Sequence, residues 1–250
     1  MKILLTNDDG IYAPGLYKLA KELEKYHEVV IAAPDNQRSA CGHSITITRP
    51  LIVKKVKLEG INSKAYSIDG TPADCVRTSV EKLIEGKIDM VVSGINKGVN
   101  LGTDVIYSGT VSAAIEAAVY NIPSIAVSSE FQGDKDNYEI SAKTAVEIIS
   151  IAKNNYISDD VVLNINVPLV DKEDIKGIKV CKIGNRTYNN VFVESKDEEG
   201  NLIYEIMGSV NDKYEEDTDV SYFKQGYITI TPLHYDLTNY KIIDRVKQWF

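Results

Sequence analysis

Short apolar runs alternate with helical patterns through the first two-thirds of the chain, and that alternation narrows the fold more than any single motif. Lys2-Ile3-Leu4-Leu5-Thr6 opens the chain as a buried strand, and residues 28–33, 64–68, 89–94, 123–128 and 161–166 repeat the type. Between the first two runs, residues 15–25 place Leu16, Leu19, Ala20 and Leu23 on one helical face, with Pro14 suited to the first turn. Extended pieces are expected at 45–48 and 51–58, separated by Pro50. Thr71-Pro72-Ala73-Asp74 is a helix start: Thr71 caps, Pro72 takes the first turn and Asp74 closes a capping box, for a helix to about residue 84. Further helices are expected over about 110–120 and 138–153. Strands of this kind separated by helices predict an α/β fold, a mostly parallel sheet with helices on both faces.

The pattern changes after residue 184. Residues 191–194 and 202–207 read as a hairpin around the polar turn 197–201, 211–219 as an acidic solvated loop, 227–233 as a strand and about 238–248 as a terminal helix. We therefore expect a catalytic core over 1–183 and, over 184–250, a hairpin arm, a return strand and a terminal helix that do not form an independent domain. An isolated hairpin is marginal in water, so this one, rich in Tyr and Val, is expected to pack on another subunit.

Asn7-Asp8-Asp9-Gly10 follows the first strand directly. The carboxyl end of a strand in an open α/β sheet faces the ligand crevice. Two adjacent carboxylates there repel each other and lose solvation unless a proton or cation neutralises them. A hard divalent cation such as Mg²⁺ or Mn²⁺ suits them; the competing reading is a solvated turn in which one Asp caps the next helix. Residues 34–40, 93–98 and 107–111 also follow predicted elements and are small, polar and glycine-containing, so they can converge on the same crevice. Ser108-Gly109-Thr110 opens a helix, whose free N–H groups and positive dipole end make an anion site; either hydroxyl can equally be the N-cap. No Gly-Lys-Ser/Thr is present, so this is not a Walker loop. A metal beside a phosphate cradle is the equipment for phosphate-ester hydrolysis.

The net charge of −8 argues against binding long nucleic acid, which needs a basic face. No apolar run approaches the ~20 residues of a membrane span, and Met1-Lys2-Ile3-Leu4-Leu5 is too short for a signal peptide. Cys41, Cys75 and Cys181 are odd in number and widely spaced, which fits reduced thiols and a cytoplasmic protein.

Five motifs occur in order: Asn-Asp-Asp-Gly at 7–10, Pro-Asp-x-x-x-Ser at 34–39, Gly-Thr-Pro-Ala-Asp-Cys at 70–75, Ser-Gly-Ile-Asn-x-Gly-x-Asn-Leu-Gly at 93–102 and Tyr-Ser-Gly-Thr-Val at 107–111. Together they resemble the SurE family, the stationary-phase survival nucleotidases. The resemblance implies a Rossmann-like core and hydrolysis of nucleoside 5′-monophosphates, often also 3′, with one divalent metal per subunit. It implies Asp8, Asp9, Ser39 and Asn96 as metal ligands, with Asn7, Ser108, Gly109 and Thr110 holding the phosphate, and a homodimer or homotetramer built by exchanging C-terminal segments. The chain departs from the family pattern at Ala40, Ser112 and Ala117, where glycine is common. Water activated by Asp8 or Asp9 is the expected nucleophile, with direct attack by an aspartate left open, and His43 is a candidate proton donor to the leaving alcohol. The rivals are a receiver-like switch, which needs a phospho-accepting Asp where this chain has Ser93-Gly94-Ile95-Asn96, a haloacid-dehalogenase-type phosphatase, which needs Asp-x-Asp, and a non-catalytic metal- or phosphate-binding protein.

Overall fold

β1 (Lys2–Thr6) lies inside the sheet with a parallel neighbour on each side. The computed structural model describes residues 1–154, 160–211 and 214–250. The main-sheet strands after β1 are β2 (Glu28–Pro34), β3 (Val53–Val56), β4 (Lys64–Ile68), β5 (Met90–Lys97) and β6 (Ser124–Ser129). A small hairpin, β7 (Phe131–Gln132) with β8 (Lys135–Asp136), stands apart; β9 (Val162–Val167) and β10 (Ile178–Val180) return to the sheet. A long hairpin, β11 (Tyr188–Lys196) with β12 (Leu202–Val210), precedes the last strand, β13 (Ile228–Leu233). Among the described residues nine strands form one sheet in the order β10-β13-β9-β6-β5-β1-β2-β4-β3. Only the β3–β4 and β13–β9 pairs are antiparallel.

Helices α1 (Pro14–Leu23) and α4 (Tyr138–Asn154) cover one face, α2 (Pro72–Thr78) and α3 (Gly109–Val119) the other. Strand side chains alternate between faces, so Ile3 and Leu5 join the α1/α4 core while Leu4 joins the α2/α3 core; all three are fully buried. The predicted stripe of α1 is buried as expected, and the capping box at Thr71 and Asp74 is reciprocal. A side chain at Gly15 would put its Cβ 2.2 Å from the Ile95 carbonyl oxygen, so only glycine lets α1 dock this closely on β5.

Four expectations are corrected. Residues 45–48 form no strand, and the second extended piece shortens to Val53–Val56. The helix from Pro72 is regular only to Thr78 and ends in a wider turn, Ser79–Leu83. The terminal helix reduces to α6 (Ile243–Lys247), since nothing in the fold buries the apolar stripe predicted for it. Of the acidic stretch 211–219, residues 212–213 lie outside the described residues, and its end is no solvated loop: Thr218 and Asp219 are fully buried and start α5 (Asp219–Lys224). β13 inserts between β9 and β10, so the return strand belongs to the main sheet.

Candidate active site

Chain order reverses at β1: β2 lies on one side and β5 on the other. The carboxyl ends of adjacent strands part at such a switch point and leave a crevice. β1 delivers Asp8 and Asp9 to it, and β5 delivers Asn96. The turn after β1 is closed by Asn7, whose side-chain amide donates to the Gly10 carbonyl (3.0 Å) and accepts from the Gly10 N–H (3.1 Å). Asn7 is fully buried. Its side chain therefore shapes the loop that presents the two acids.

Asp8 is only 4 % exposed. Its Oδ1 accepts from the Thr110 hydroxyl at 2.5 Å. Burial pushes its carboxyl up from the ordinary 3.8 to about 6, with the Asp9 charge adding to the rise and the Thr110 bond opposing it. Asp9 is half-buried, and burial raises it too, against hydrogen bonds from the Lys97 N–H (2.9 Å) and the Gln37 amide (3.2 Å). Lys97 and Gln37 are sequence neighbours of the other two proposed ligands, Asn96 and Ser39. Asn96 immediately precedes Lys97, and its side-chain amide donates to the Gly98 carbonyl (2.8 Å). Ser39 is exposed on a loop fastened on either side: the Arg38 N–H donates to the Asp8 carbonyl (2.7 Å) and the Gly42 N–H to the Tyr107 carbonyl (3.0 Å).

The amino end of α3 abuts the same carboxylate. A Cβ at Gly109 would lie 2.9 Å from the Asp8 Cβ and 3.0 Å from the Cys41 sulfur. Any larger residue would push helix and acid apart. Ser108 is the N-cap, accepting from the Val111 N–H. The Thr110 hydroxyl is fully buried and engaged with Asp8, so of the three proposed cradle residues it orients the acid while Ser108 and Gly109 border the helix mouth.

Three arrangements escaped the sequence reading. Asn100 is bonded by Asn164, Asn166 and Ser128 in a buried amide cluster that pins the 98–108 loop to β6 and β9. The signal was available, since Asn164 and Asn166 are polar at alternate positions of an otherwise apolar strand. Asp219 accepts from the N–H groups of Gly102, Gly184 and Val220 at 2.7–2.8 Å, tying that loop to the root of the long hairpin. Lying far along the chain, it left no local signal. His43, the candidate proton donor, instead meets Glu116 at 2.7 Å; Glu116 also receives Arg77 and is buried within α3.

The residues fit a hard divalent cation. Among the described residues no three His, Cys, Asp or Glu side chains gather as a metal cluster. The candidate donors are two carboxylates, one hydroxyl and one amide oxygen, a set suited to Mg²⁺ or Mn²⁺ rather than zinc. A buried carboxyl raised by desolvation beside a second acid is the arrangement that a cation would relieve. A larger cavity of about 650 Å³ lies elsewhere, lined by Lys2, Glu28 and Lys64. It sits where strands begin, the end of an α/β sheet that does not carry the crevice.

The family model described as "Survival protein SurE" matches residues 3–190. A protein of Clostridium botulinum (Type A) named "5′-nucleotidase SurE" is 55 % identical over 251 residues, covering 100 % of this chain and 99 % of its own. One of the same name from Clostridium tetani is 50 % identical over 250 residues, covering 100 % of both. A crystal structure of the SurE protein from Aquifex aeolicus superposes with a TM-score of 0.87 at 41 % identity, over 100 % of this chain and 99 % of that one.

Proposed function

The chain belongs to the SurE family, and on that premise we propose that it is a 5′-nucleotidase, a metal-dependent phosphomonoesterase that also accepts 3′-monophosphates. The observation that carries the reading is the contact between the buried Asp8, its neighbour Asp9 and the amino end of α3 at the strand switch point. Asp8, Asp9, Ser39 and Asn96 would hold one Mg²⁺ or Mn²⁺ per subunit. Such a cation supplies Lewis acidity toward a phosphoryl oxygen and lowers the pKa of a bound water.

The chain's own groups do the rest. The mouth of α3 at Ser108 and Gly109 places N–H dipoles and a hydroxyl where negative charge grows on the phosphoryl oxygens. Thr110 holds Asp8 in one orientation, and the Lys97 N–H does the same for Asp9. An aspartate at that position accepts a proton from the attacking water. Both acids double as ligands, which makes them poor direct nucleophiles and favours water. Asn7 keeps the acid-bearing turn closed.

We assign the long hairpin to association, as a homodimer or homotetramer. Its two strands bond only to each other within the sheet they form, and Val191, Phe192, Ile206 and Met207 are each more than half exposed. Among the described residues no helix is long and apolar enough to cross a membrane. All three cysteines are free, which suits a reducing cytoplasm.

The test is phosphate release from a panel of nucleoside 5′- and 3′-monophosphates, with Mg²⁺ or Mn²⁺ added and then chelated. Release that stops on chelation is expected. Release that survives chelation would remove the metal from the reading, and no release from any nucleotide would end it.

A further inference from the structure

Phe131 is 40 % exposed on β7. It stands beside the site. The Lys97 ammonium lies 4.6 Å from the centre of the Phe131 ring, and the Lys97 backbone N–H donates to Asp9. A Cβ at Gly98 would be 3.9 Å from the Phe131 ring and 3.9 Å from the Asn96 amide nitrogen, so ring and proposed ligand flank one residue. Phe131, Lys97, Pro14, Asp136 and Tyr138 line a cavity of about 240 Å³. Burial raises the Tyr138 hydroxyl to about 12, and the Asp9 charge contributes.

Resting on the nucleotidase reading, we propose that this cleft receives the nucleobase of the substrate, with Phe131 as the stacking platform and the sugar directed toward Asp9. The cavity is smaller than the ~300–1,000 Å³ that encloses a whole drug-sized ligand. It suits a flat ring whose sugar and phosphate lie outside, against the carboxylates. A base stacks on an aromatic face whatever its hydrogen-bonding edge, so the subsite favours nucleotides over other phosphomonoesters while tolerating several bases. Purines, with the larger face, gain most. Lys97 covers the ring by a cation–π contact, and its flexible stem lets the ammonium move to the substrate phosphate when a base takes its place.

The experiment compares AMP, CMP and ribose 5-phosphate as substrates of the full-length, metal-loaded protein, with Phe131→Ala, Phe131→Leu and Phe131→Trp. Calorimetric binding of AMP is measured alongside. In Phe131→Ala the ratio of kcat/KM for AMP to that for ribose 5-phosphate should fall about tenfold, through KM, as expected for a lost stacking partner. CMP should fall less. Tryptophan should restore the ratio and leucine should not, because the ring and not its bulk is required. Equal losses on AMP and ribose 5-phosphate, or restoration by leucine, would overturn the proposal. So would a silent Phe131→Ala, with the AMP to ribose 5-phosphate ratio unchanged. If the unaltered protein releases no phosphate but binds AMP, and Phe131→Ala abolishes that binding, the nucleotidase reading fails while the cleft stands. AMP binding equal in both proteins would sink the cleft alone.

Discussion

The carboxyl edge of the sheet and the long hairpin are opposite solutions to the same chain's problem. At the edge, Asp8, Thr110, Asn100 and Asp219 are buried polar groups, each with hydrogen-bond partners from distant parts of the sequence. In the hairpin every residue of β11 is exposed, and β11 pairs only with β12. The edge is finished within one chain, whereas the arm leaves apolar surface that a second chain could cover. Burying a polar group costs roughly 1–3 kcal/mol unless it is bonded, so a site made of polar groups demands long-range partners. An arm made of Val, Ile, Phe and Tyr demands only area. The two meet at Asp219, which bonds the 98–108 loop at Gly102 and the root of the arm at Gly184.

The sharpest way to break this contrast is Asp8→Asn. Phosphate release should fall by roughly 10²–10³-fold or more, read as kcat with Mn²⁺ saturating. The fold should persist, because the amide replaces a desolvated charge. The pH dependence has a definite sign. Folding raises the Asp8 carboxyl from 3.8 to about 6, so the metal-free folded state binds its proton more tightly than the unfolded chain. Asp8 therefore lowers stability as pH rises through that window, by on the order of 3 kcal/mol in all. Denaturant titrations in chelator, from pH 4 to 7, should show this slope in the natural protein and a clearly shallower one in Asp8→Asn, where the raised Asp9 carboxyl remains. An undiminished slope would assign it to another group.

The arm is tested by excision. Asn189 and Ser209 are opposite each other in the hairpin, so residues 190–208 can be replaced by an Asn-Gly turn. Sedimentation should then show the protein as a monomer, with its circular dichroism otherwise that of the intact sheet. Unchanged association would place the interface elsewhere.

Asp219→Asn probes the junction. One amide oxygen cannot replace a carboxylate that accepts three N–H bonds, so a loss of about 2 kcal/mol is expected on denaturation. KM should rise as the 98–108 loop loosens, and an unchanged KM would separate the arm from the site.

The smallest effect is expected at Ala40. It adopts φ 53°, a left-handed conformation that a Cβ disfavours. Ala40→Gly should stabilise the Ser39 loop by roughly 0.5–1 kcal/mol, offset in part by the entropy glycine adds to the unfolded chain.

That loop also shows how much was readable beforehand. The departure from glycine at position 40 was visible, but not that Ala40 would be held at positive φ. The strands of the core, the α1 stripe and the Thr71–Asp74 box were legible because each depends on residues a few positions apart. The terminal helix was misjudged for the converse reason, since its stripe found no surface to pack against. His43 was read as facing a leaving group, and only the fold brings Glu116 to it.

By itself the sequence determined the alternation of elements, the two acids at the end of the first strand and the glycine that opens α3, because local spacing and steric permission are written residue by residue. Only the tertiary structure decided that Thr110 orients Asp8, that Asn7 closes its own turn, that Phe131 stands by Lys97 and that Asp219 joins arm to loop. Those pairings exist where β1 and β5 part and the chain returns through β13, and buried polar groups take the partners that sheet topology delivers to them, however far off in the chain.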